Sequence, residues 1–446
     1  MKRAHNLNLN PACRFTRRRR AGRLNLILNL RSPVLLLLLL LASLAARAQV
    51  YPEAYLEQAV QTNPGLQAQQ KAYEAALQQV DAVFSLPDPQ LTAGFFVKPM
   101  ERFMGNQWFD VGIMQMFPWF GTLGSQKMAA REMAQADFHK YRQERNSLFM
   151  EMTRLWLEIF KLDQQGKILL QYIDVLKARE DLIYSRYAGG MQRAGQALDI
   201  YRLEIQLSDL QNQLEKINEE NRALVQSFNI LTGRAYTAEV VTPDRLPDTS
   251  VYDFQGRPDA AFFAANPRLN MAQSAAEAAG LQQQLSRLRT MPMLGVGLQY
   301  SYLSPGEAAM GQMDGGHMIM PMVSVSLPIF RNKNRAIRRQ GVLMAEEAVF
   351  MQDNRLNELQ MQWTRLEAEL LNLQRDVRFY DRQKELTLKA WDLVLTGYSA
   401  GEESFDELLR IQDQLLDLEW RLLEVQINQN LKLAEMDLLQ AKNIFE

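Results

Sequence analysis

The chain has 446 residues, of which 47% are hydrophobic and 23% are charged, so it is long enough for two or three ordinary domains or one extended domain. Ten of its 50 Lys and Arg residues, and no Asp or Glu, lie within residues 1–48, so the rest carries 40 basic and 51 acidic residues, a net charge of −11. This acidic balance argues against a nucleic-acid partner.

The residue types that most enzymes and metal sites need are scarce beyond residue 48. The only cysteine is Cys13, and the histidines there are His139 and His317. Cysteine-based and His-rich metal sites are therefore excluded, and a nucleophile paired with histidine would have to use one of these two. No Gly-rich phosphate loop is present. We predict a protein that is not an enzyme and that needs no cofactor.

The first 48 residues have the layout of a secretory signal peptide. An Arg-rich start is followed by an apolar run from Val34 to Leu41 and by Ala46-Arg47-Ala48, a small-residue cleavage site. We predict that residues 1–48 are removed before Gln49. A membrane anchor is the alternative, but the apolar run is too short to cross a bilayer.

A long heptad pattern follows later in the chain. Apolar residues recur at steps of four and three from Leu148 to Tyr187, which predicts a helix with a narrow apolar stripe that partner helices must bury. Counted from Gly124, this helix would have roughly 60 residues and be about 90 Å long. A second seam, from Leu203 to Leu231, predicts a return helix that faces the first one.

The two halves of the chain share five landmarks in the same order, which indicates a tandem duplication of about 200 residues. The landmark pairs are Asn63-Pro64-Gly65-Leu66 and Asn266-Pro267-Arg268-Leu269, Pro89 and Pro292, Phe117-Pro118-Trp119-Phe120 and Leu327-Pro328-Ile329-Phe330, Tyr187-Ala188-Gly189-Gly190 and Tyr398-Ser399-Ala400-Gly401, and Leu198-Asp199 and Phe405-Asp406.

Each half is predicted to run helix, strand, strand, long helix, turn, long helix. The first helix of the chain is expected from about Glu53 to Leu86, before Pro87-Asp88-Pro89. We assign residues 49–231 to the first repeat, 232–258 to a Pro- and Gly-containing linker and 259–446 to the second repeat.

Four short segments alternate between apolar and small or polar residues. They are Leu91–Lys98, Phe109–Met114, Met293–Leu303 and Ile319–Leu327, and aromatic residues cluster near their ends. This pattern is typical of the strands of a transmembrane β-barrel with an aromatic girdle. Two soluble hairpins packed on the helices are the alternative.

Four strands cannot close a barrel, and an open edge in lipid leaves backbone groups unpaired. Several copies of the chain must therefore share one barrel if the segments cross a membrane. Two copies would supply eight strands and three would supply twelve, and only the wider barrel leaves a channel.

The landmarks, in this order and duplicated, resemble the TolC family of outer-membrane efflux proteins over essentially Tyr51 to Phe445. The resemblance implies a mainly α-helical fold with a small β part. It further implies a homotrimer whose helical hairpins form a periplasmic α-barrel tunnel, continuous with a shared 12-stranded β-barrel in the outer membrane. The implied partners are outer-membrane lipid, a periplasmic adaptor protein and an inner-membrane pump of the RND or ABC type.

The resemblance also implies roles for residues at the helical tips. Gly189, Gly190 and Gly401 would reverse the chain where an adaptor approaches, and Asp199 and Asp406 would form acidic rings that narrow the entrance. Each Asp is alternatively, or additionally, a cap of its returning helix. Some family members carry a second acid three residues after the Asp406 position, where this chain has Leu409.

Methionine is abundant, with 22 residues, and clusters around His317. Met318, Met320 and Met322 share strand parity with Ser324, on the predicted lumen face, and thioethers suit Cu(I) and Ag(I). His317 and these three methionines are therefore a candidate metal site, although methionine is also a common flexible filler of apolar space.

Three functions remain open. The first is a passive exit duct of a tripartite efflux or type I secretion system, including a Cu(I) or Ag(I) efflux duct. The second is a secreted coiled-coil scaffold without a channel, and the third is a periplasmic enzyme. The sequence does not name the cargo.

Overall fold

Long helices dominate the fold in a computed structural model, which describes residues 53–102, 105–188, 194–246, 258–308, 311–313 and 315–441. The predicted signal peptide, Gly189 and Gly190 lie outside these residues. The helices are α1 (Glu53–Thr62), α2 (Pro64–Ala82), α3 (Thr122–Ala188), α4 (Ala194–Thr232), α5 (Pro267–Leu288), α6 (Arg331–Ala400) and α7 (Phe405–Leu439). The strands are β1 (Gln90–Arg102), β2 (Gly105–Phe117), β3 (Leu294–Ser304), β4 (Gly306–Ala308), β5 (Gly311–Met313) and β6 (Gly316–Val325). The prediction of a mainly α-helical fold with a small β part is confirmed.

The first predicted helix is wrong in one respect, because the structure divides it at Asn63 into α1 and α2. Asn63 has an extended backbone, and its side-chain oxygen accepts a hydrogen bond of 3.1 Å from the N–H of Leu66. Pro64 then occupies the first position of α2, where its missing N–H costs nothing. Asn266 and Pro267 begin α5 in the same way, with Asn266 accepting from the N–H of Arg268.

The predicted long helix is confirmed, since α3 has 67 residues and α6 has 70. At a rise of about 1.5 Å per residue, each is roughly 100 Å long. The heptad seam of α3 meets that of α4 as predicted, and the second hairpin joins the same core. Its members come from all four long helices: Leu169, Ile173, Leu176, Leu203, Leu210, Tyr398, Phe405 and Leu408.

The strands form one antiparallel sheet in the order β1-β2-β3-β6, and β4 and β5 form a separate short hairpin that the sequence did not predict. Pairing of Val111 with Tyr300 and of Tyr300 with Ile319 sets the alternating apolar residues of neighbouring strands side by side. The sheet has no closing pair, so β1 and β6 are its edges within the described chain.

One face of this sheet is apolar and uncovered. Leu91, Phe95 and Val323 are 72%, 80% and 78% exposed, and Ile113, Val296, Leu298 and Ile319 are also exposed. No described helix packs along either face of the sheet. The alternative of soluble hairpins packed on their own helices therefore does not describe this chain. Among the described residues, no helix is both long and apolar enough to cross a bilayer.

Below the sheet, α5 packs very closely on α6 at Gly341. A Cβ atom added there would lie 2.9 Å from the Cβ of Ser286 and 3.4 Å from the Cα of Gln283, both on α5. Because these atoms belong to the body of α5 and not to a flexible side-chain end, an added methyl group must push the helices apart.

We predict that Gly341→Ala destabilises the protein by about 1–3 kcal/mol through this overpacking. The matched control is Gly280→Ala on α5, where an added Cβ meets nothing within 4 Å. That change should be neutral or stabilising by up to about 1 kcal/mol, because alanine favours helix. Thermal unfolding followed by circular dichroism at 222 nm tests both, and equal melting temperatures for the two variants would contradict the close contact.

Candidate functional site: the helical tip and the polar face of the sheet

The turn between α6 and α7 is built from short-range backbone contacts. Gly401 has φ 83°, in the left-handed region, and its N–H donates to the carbonyl of Tyr398 at 3.1 Å. The N–H of Glu402 donates to the carbonyl of Gly397 at 2.9 Å, which completes the helix end. The structure therefore places Gly401 at the reversal of the chain, where glycine relieves the strain of a positive φ.

The start of α7 is fixed by Ser404 and not by Asp406. The Ser404 hydroxyl accepts a hydrogen bond of 3.2 Å from the N–H of Glu407, so Ser404 is the N-cap. Asp406 lies in the first turn, with its side chain 70% exposed. The capping alternative is wrong for Asp406. It is also wrong for Asp199, which follows five helical residues of α4.

The two candidate acids meet at one cation that the sequence did not single out. The guanidinium of Arg202 lies 3.9 Å from a carboxylate oxygen of Asp199 and 3.6 Å from one of Asp406. It thereby connects α4 of the first hairpin to α7 of the second. Its spacing of three residues from Asp199 is a signal in the sequence, but only the fold brings Asp406 to it.

Asp199 is the more buried of the two acids, and partial burial raises its pKa above the usual aspartate value. The positive charge of Arg202 opposes this rise in the pKa, and the negative charge of Asp406 adds to it. Asp199 therefore takes up a proton at a higher pH than an ordinary aspartate does.

A second polar contact between the hairpins lies about two helical turns from the acids. The side-chain amide of Gln206 on α4 donates to Asp413 on α7 at 2.7 Å, and burial raises the pKa of Asp413. Farther along, Lys384 of α6 pairs with Glu419 of α7 at 2.7 Å. Carboxylates at this end of the hairpins therefore recur on α7, and cations or amides of neighbouring helices approach them.

The candidate methionines lie on the polar face of the sheet, whereas His317 lies on the opposite, apolar face. Met318, Met320 and Met322 pair with Ser301, Gln299 and Gly297, whereas His317 pairs with Tyr302 on the apolar face. Nδ1 of His317 lies 2.6 Å from the hydroxyl of Tyr300. The four residues of the candidate metal site therefore do not form one ligand set.

A different pair of methionines converges on this polar face. The hydroxyl of Ser324 lies 3.7 Å from the sulfur of Met114 and 3.8 Å from the sulfur of Met116. Both sulfurs lie over Gly295, where an added Cβ would be only 3.1 Å from the sulfur of Met114 and 2.7 Å from that of Met116. The missing side chain of Gly295 is thus what leaves room for two thioethers on β2.

Harder metal ligands are not grouped in the same way. Within the described part of the chain, no cluster of three or more His, Cys, Asp and Glu side chains is placed to hold a metal ion.

The sequence itself matches no protein-family model, and no curated protein is significantly similar to it. Its structure, in contrast, is similar to solved structures over most of their length. CusC, whose structures concern folding and transmembrane channel formation, has a TM-score of 0.74 at 15% identity, with 88% of this chain and 92% of that chain covered.

Two further neighbours are outer-membrane proteins of other bacteria. The outer-membrane protein VceC of Vibrio cholerae has a TM-score of 0.70 at 17% identity, with 88% of this chain and 96% of that chain covered. The open state of the MtrE outer-membrane channel of Neisseria gonorrhoeae has a TM-score of 0.67 at 17% identity, with 87% and 88% covered. The resemblance read from the duplicated landmarks is confirmed in the structure, and the chain has the fold of the TolC family of outer-membrane channels.

Proposed function

We propose that this protein is the outer-membrane exit duct of a tripartite efflux or type I secretion system. The observation that carries the proposal is the open four-stranded sheet, which has one exposed apolar face and one polar face and two unpaired edges. Lipid suits the apolar face, and pairing between copies satisfies the edges. The protein conducts substrates passively and performs no catalysis.

Three copies complete this arrangement as one 12-stranded β-barrel with a polar lumen. Twelve strands leave a water-filled bore, whereas eight would be filled by side chains. The paired helical hairpins then continue the bore through the periplasm as an α-barrel tunnel. A periplasmic adaptor and an inner-membrane pump approach the tips near Gly401, and residues 1–48 direct the chain to export.

The competing scaffold hypothesis predicts different behaviour on extraction. We expect the duct to stay in the membrane pellet at alkaline pH, to need detergent for release, and to run as a trimer after cross-linking. Reconstitution in planar bilayers should give ion conductance. A carbonate-soluble monomer without conductance would instead favour the coiled-coil scaffold.

The tip is the proposed gate, with Asp199 and Asp406 as rings of carboxylates that attract cations and repel one another in the trimer. Arg202 partly neutralises both acids in each subunit. Because these side chains are partly exposed, each ion pair contributes at most about 1 kcal/mol, which adds to the packing of Leu203, Phe405 and Leu408 in the buried cluster at the same end.

We predict that Asp199→Asn combined with Asp406→Asn raises the leak conductance, because Arg202 loses both carboxylates through which it links the two hairpins. The same change should lower the preference for cations over anions, because it removes negative charge from the entrance. The control is Asp209→Asn combined with Asp392→Asn, which removes the same charge from exposed positions of α4 and α6. Planar-bilayer recordings in a KCl gradient measure both quantities. If the two double variants behave alike, the acidic rings do not control the entrance.

The raised pKa of Asp199 gives the wild-type gate a pH dependence of known sign. As pH falls, Asp199 loses its negative charge before an ordinary aspartate would, so cation preference should decline at a pH above the usual aspartate pKa of about 4. Asp199→Asn should abolish this step and leave later changes intact. The same recordings, repeated between pH 7 and pH 4, provide the test.

A narrower version of the duct, for Cu(I) or Ag(I), is supported by the convergence of Met114, Met116 and Ser324 over Gly295. Two thioethers and a hydroxyl on a lumen wall would let a soft ion bind weakly and move on. Met318, Met320 and Met322 continue the polar face toward the far end of the strand.

We predict that Met114→Leu with Met116→Leu lowers silver resistance several-fold and leaves drug resistance unchanged, because leucine keeps the volume and removes the sulfur. Met128→Leu with Met133→Leu, exposed positions on α3, is the control. The test measures the inhibitory concentrations of Ag(I) and of an organic drug in a deletion strain that carries each variant. Equal silver resistance in both variants would leave a duct without metal specificity.

A further inference from the structure

A stripe of arginines marks the start of α6, directly after the sheet. Residues 315–345 contain no Asp or Glu, and within them Arg331, Arg335, Arg338 and Arg339 follow one another at helical spacing. The first acid of α6 is Glu346, fifteen residues into the helix, or about 22 Å along its axis. Cations at the beginning of a helix are unfavourable for its dipole, so this placement has no stabilising role within α6 itself.

The ends of α2 and α3 nearest the sheet, together with α5 and α6, form a layer of helices, and the stripe lies on one side of it. A cavity of about 1130 Å³ opens on the opposite side and is lined in part by Met293. Strand parity puts Met293 on the polar face of the sheet, so the cavity lies on the side of the proposed bore. The residues of α6 that line it are Ile337, Gln340, Gly341 and Met344. At 3.6 residues per turn, the four arginines lie more than about 100° around the helix from the middle of that group. They therefore face the outside of the layer and not the bore.

The neighbouring helix α5 likewise has one side that faces the cavity and one that faces away from it. Its residues Gln282, Leu285 and Arg289 line the same cavity, whereas Gln283 and Arg287 line a separate shallow depression together with Glu277. Arg287 thus adds a cation to the outer side, close to the sheet. Glu277 lies ten residues earlier, or about 15 Å farther from the sheet, so the outer surface changes from basic to acidic with distance from the strands.

The arginines have few partners in the chain. Arg338 donates to the buried hydroxyl of Thr290 at 2.8 Å. None of the ion pairs formed among the described residues includes Arg331, Arg335 or Arg339. All three are exposed.

Apolar side chains connect the stripe to the apolar face of the sheet. Leu327, Ile329 and Phe330, between β6 and α6, are each about 70% exposed. An apolar band that ends in exposed aromatic and aliphatic residues, followed by cations with long flexible stems, matches the change from hydrocarbon to headgroups in a lipid leaflet.

We propose that this basic stripe binds the headgroups of anionic phospholipids in the periplasmic leaflet. The proposal rests on the proposed function, which places the sheet in the outer membrane and α6 below it. Charge complementarity selects an anionic over a zwitterionic headgroup, and each cation near the surface strengthens the interaction. The stripe anchors the barrel vertically and fixes the level at which the helices leave the membrane.

The test uses the purified full-length trimer in a neutral detergent, titrated with phosphatidylglycerol, with phosphatidylcholine and with inorganic phosphate, and read by native mass spectrometry. We expect wild type to bind phosphatidylglycerol roughly tenfold more tightly than phosphatidylcholine, as a few surface cations would give. Arg331→Gln with Arg335→Gln should lower that ratio several-fold, with Arg338 and Arg339 left to supply the remainder. Arg375→Gln with Arg378→Gln, the same charge change at exposed mid-helix positions, should leave it unchanged.

Several outcomes would overturn the proposal. They are equal binding of the two lipids by wild type, equal losses in the two double variants, and competition by inorganic phosphate, which would indicate a free-anion site. Dissociation of the trimer of Arg331→Gln with Arg335→Gln, with an unchanged lipid ratio, would assign the stripe to contacts between subunits. A conducting trimer without lipid preference removes this inference alone, whereas a soluble monomer removes the proposed duct itself.

Discussion

The open sheet is the constraint on which the rest of the structure depends. Each interior strand is paired on both sides, but β1 and β6 each keep one row of unpaired N–H and C=O groups. Soluble proteins protect such edges with charges, prolines or covering helices. Pro321 lies within β6, but no helix of the described chain covers the sheet, and the apolar side chains of the sheet face outward. A single copy is therefore incomplete in a way that both lipid and further copies would remedy.

The helical part solves a related problem within one chain. A hairpin of two long helices has only a narrow apolar stripe, and two hairpins packed together bury both stripes in one core. Tyr398 and Phe405 of the second hairpin contact each other at 5.9 Å between ring centroids, within the same cluster as Leu169 and Leu203 of the first. This shared core explains why the two halves of the sequence act together although they are similar units.

Much of this architecture could be predicted from the sequence because its signals are periodic. A seven-residue repeat predicts the long helices, and a two-residue repeat predicts the strands that pair as β1-β2-β3-β6. The division of the first helix at Asn63 was not predicted, although the Asn-Pro pair is a signal for a new helix start. The β4–β5 hairpin was missed because three-residue strands leave no periodic signal.

The candidate sites were harder to predict, for two different reasons. Strand parity alone already separates His317 from Met318 and Met320, so grouping them by closeness in sequence overlooked a signal that was available. The contact of Arg202 with Asp406 depends on how two hairpins align, and the convergence of Met114 with Ser324 depends on two strands that pair with β3 from opposite sides. Such contacts are set by register, which local spacing does not contain.

Apolar and polar contacts contribute unequally to holding the two hairpins together, both along the body and at the tip. Along the body, buried residues such as Phe149, Met152 and Phe228 have no exposed surface, and removing such side chains costs several kcal/mol. At the tip, the hairpins share buried residues such as Leu203, Phe405 and Leu408. Arg202 and the Gln206–Asp413 hydrogen bond add polar contacts there, each of which contributes about 1 kcal/mol or less where water reaches it. Because separation of the hairpins at this end would expose part of the shared core, the apolar packing, and not the polar contacts, sets most of its cost in free energy.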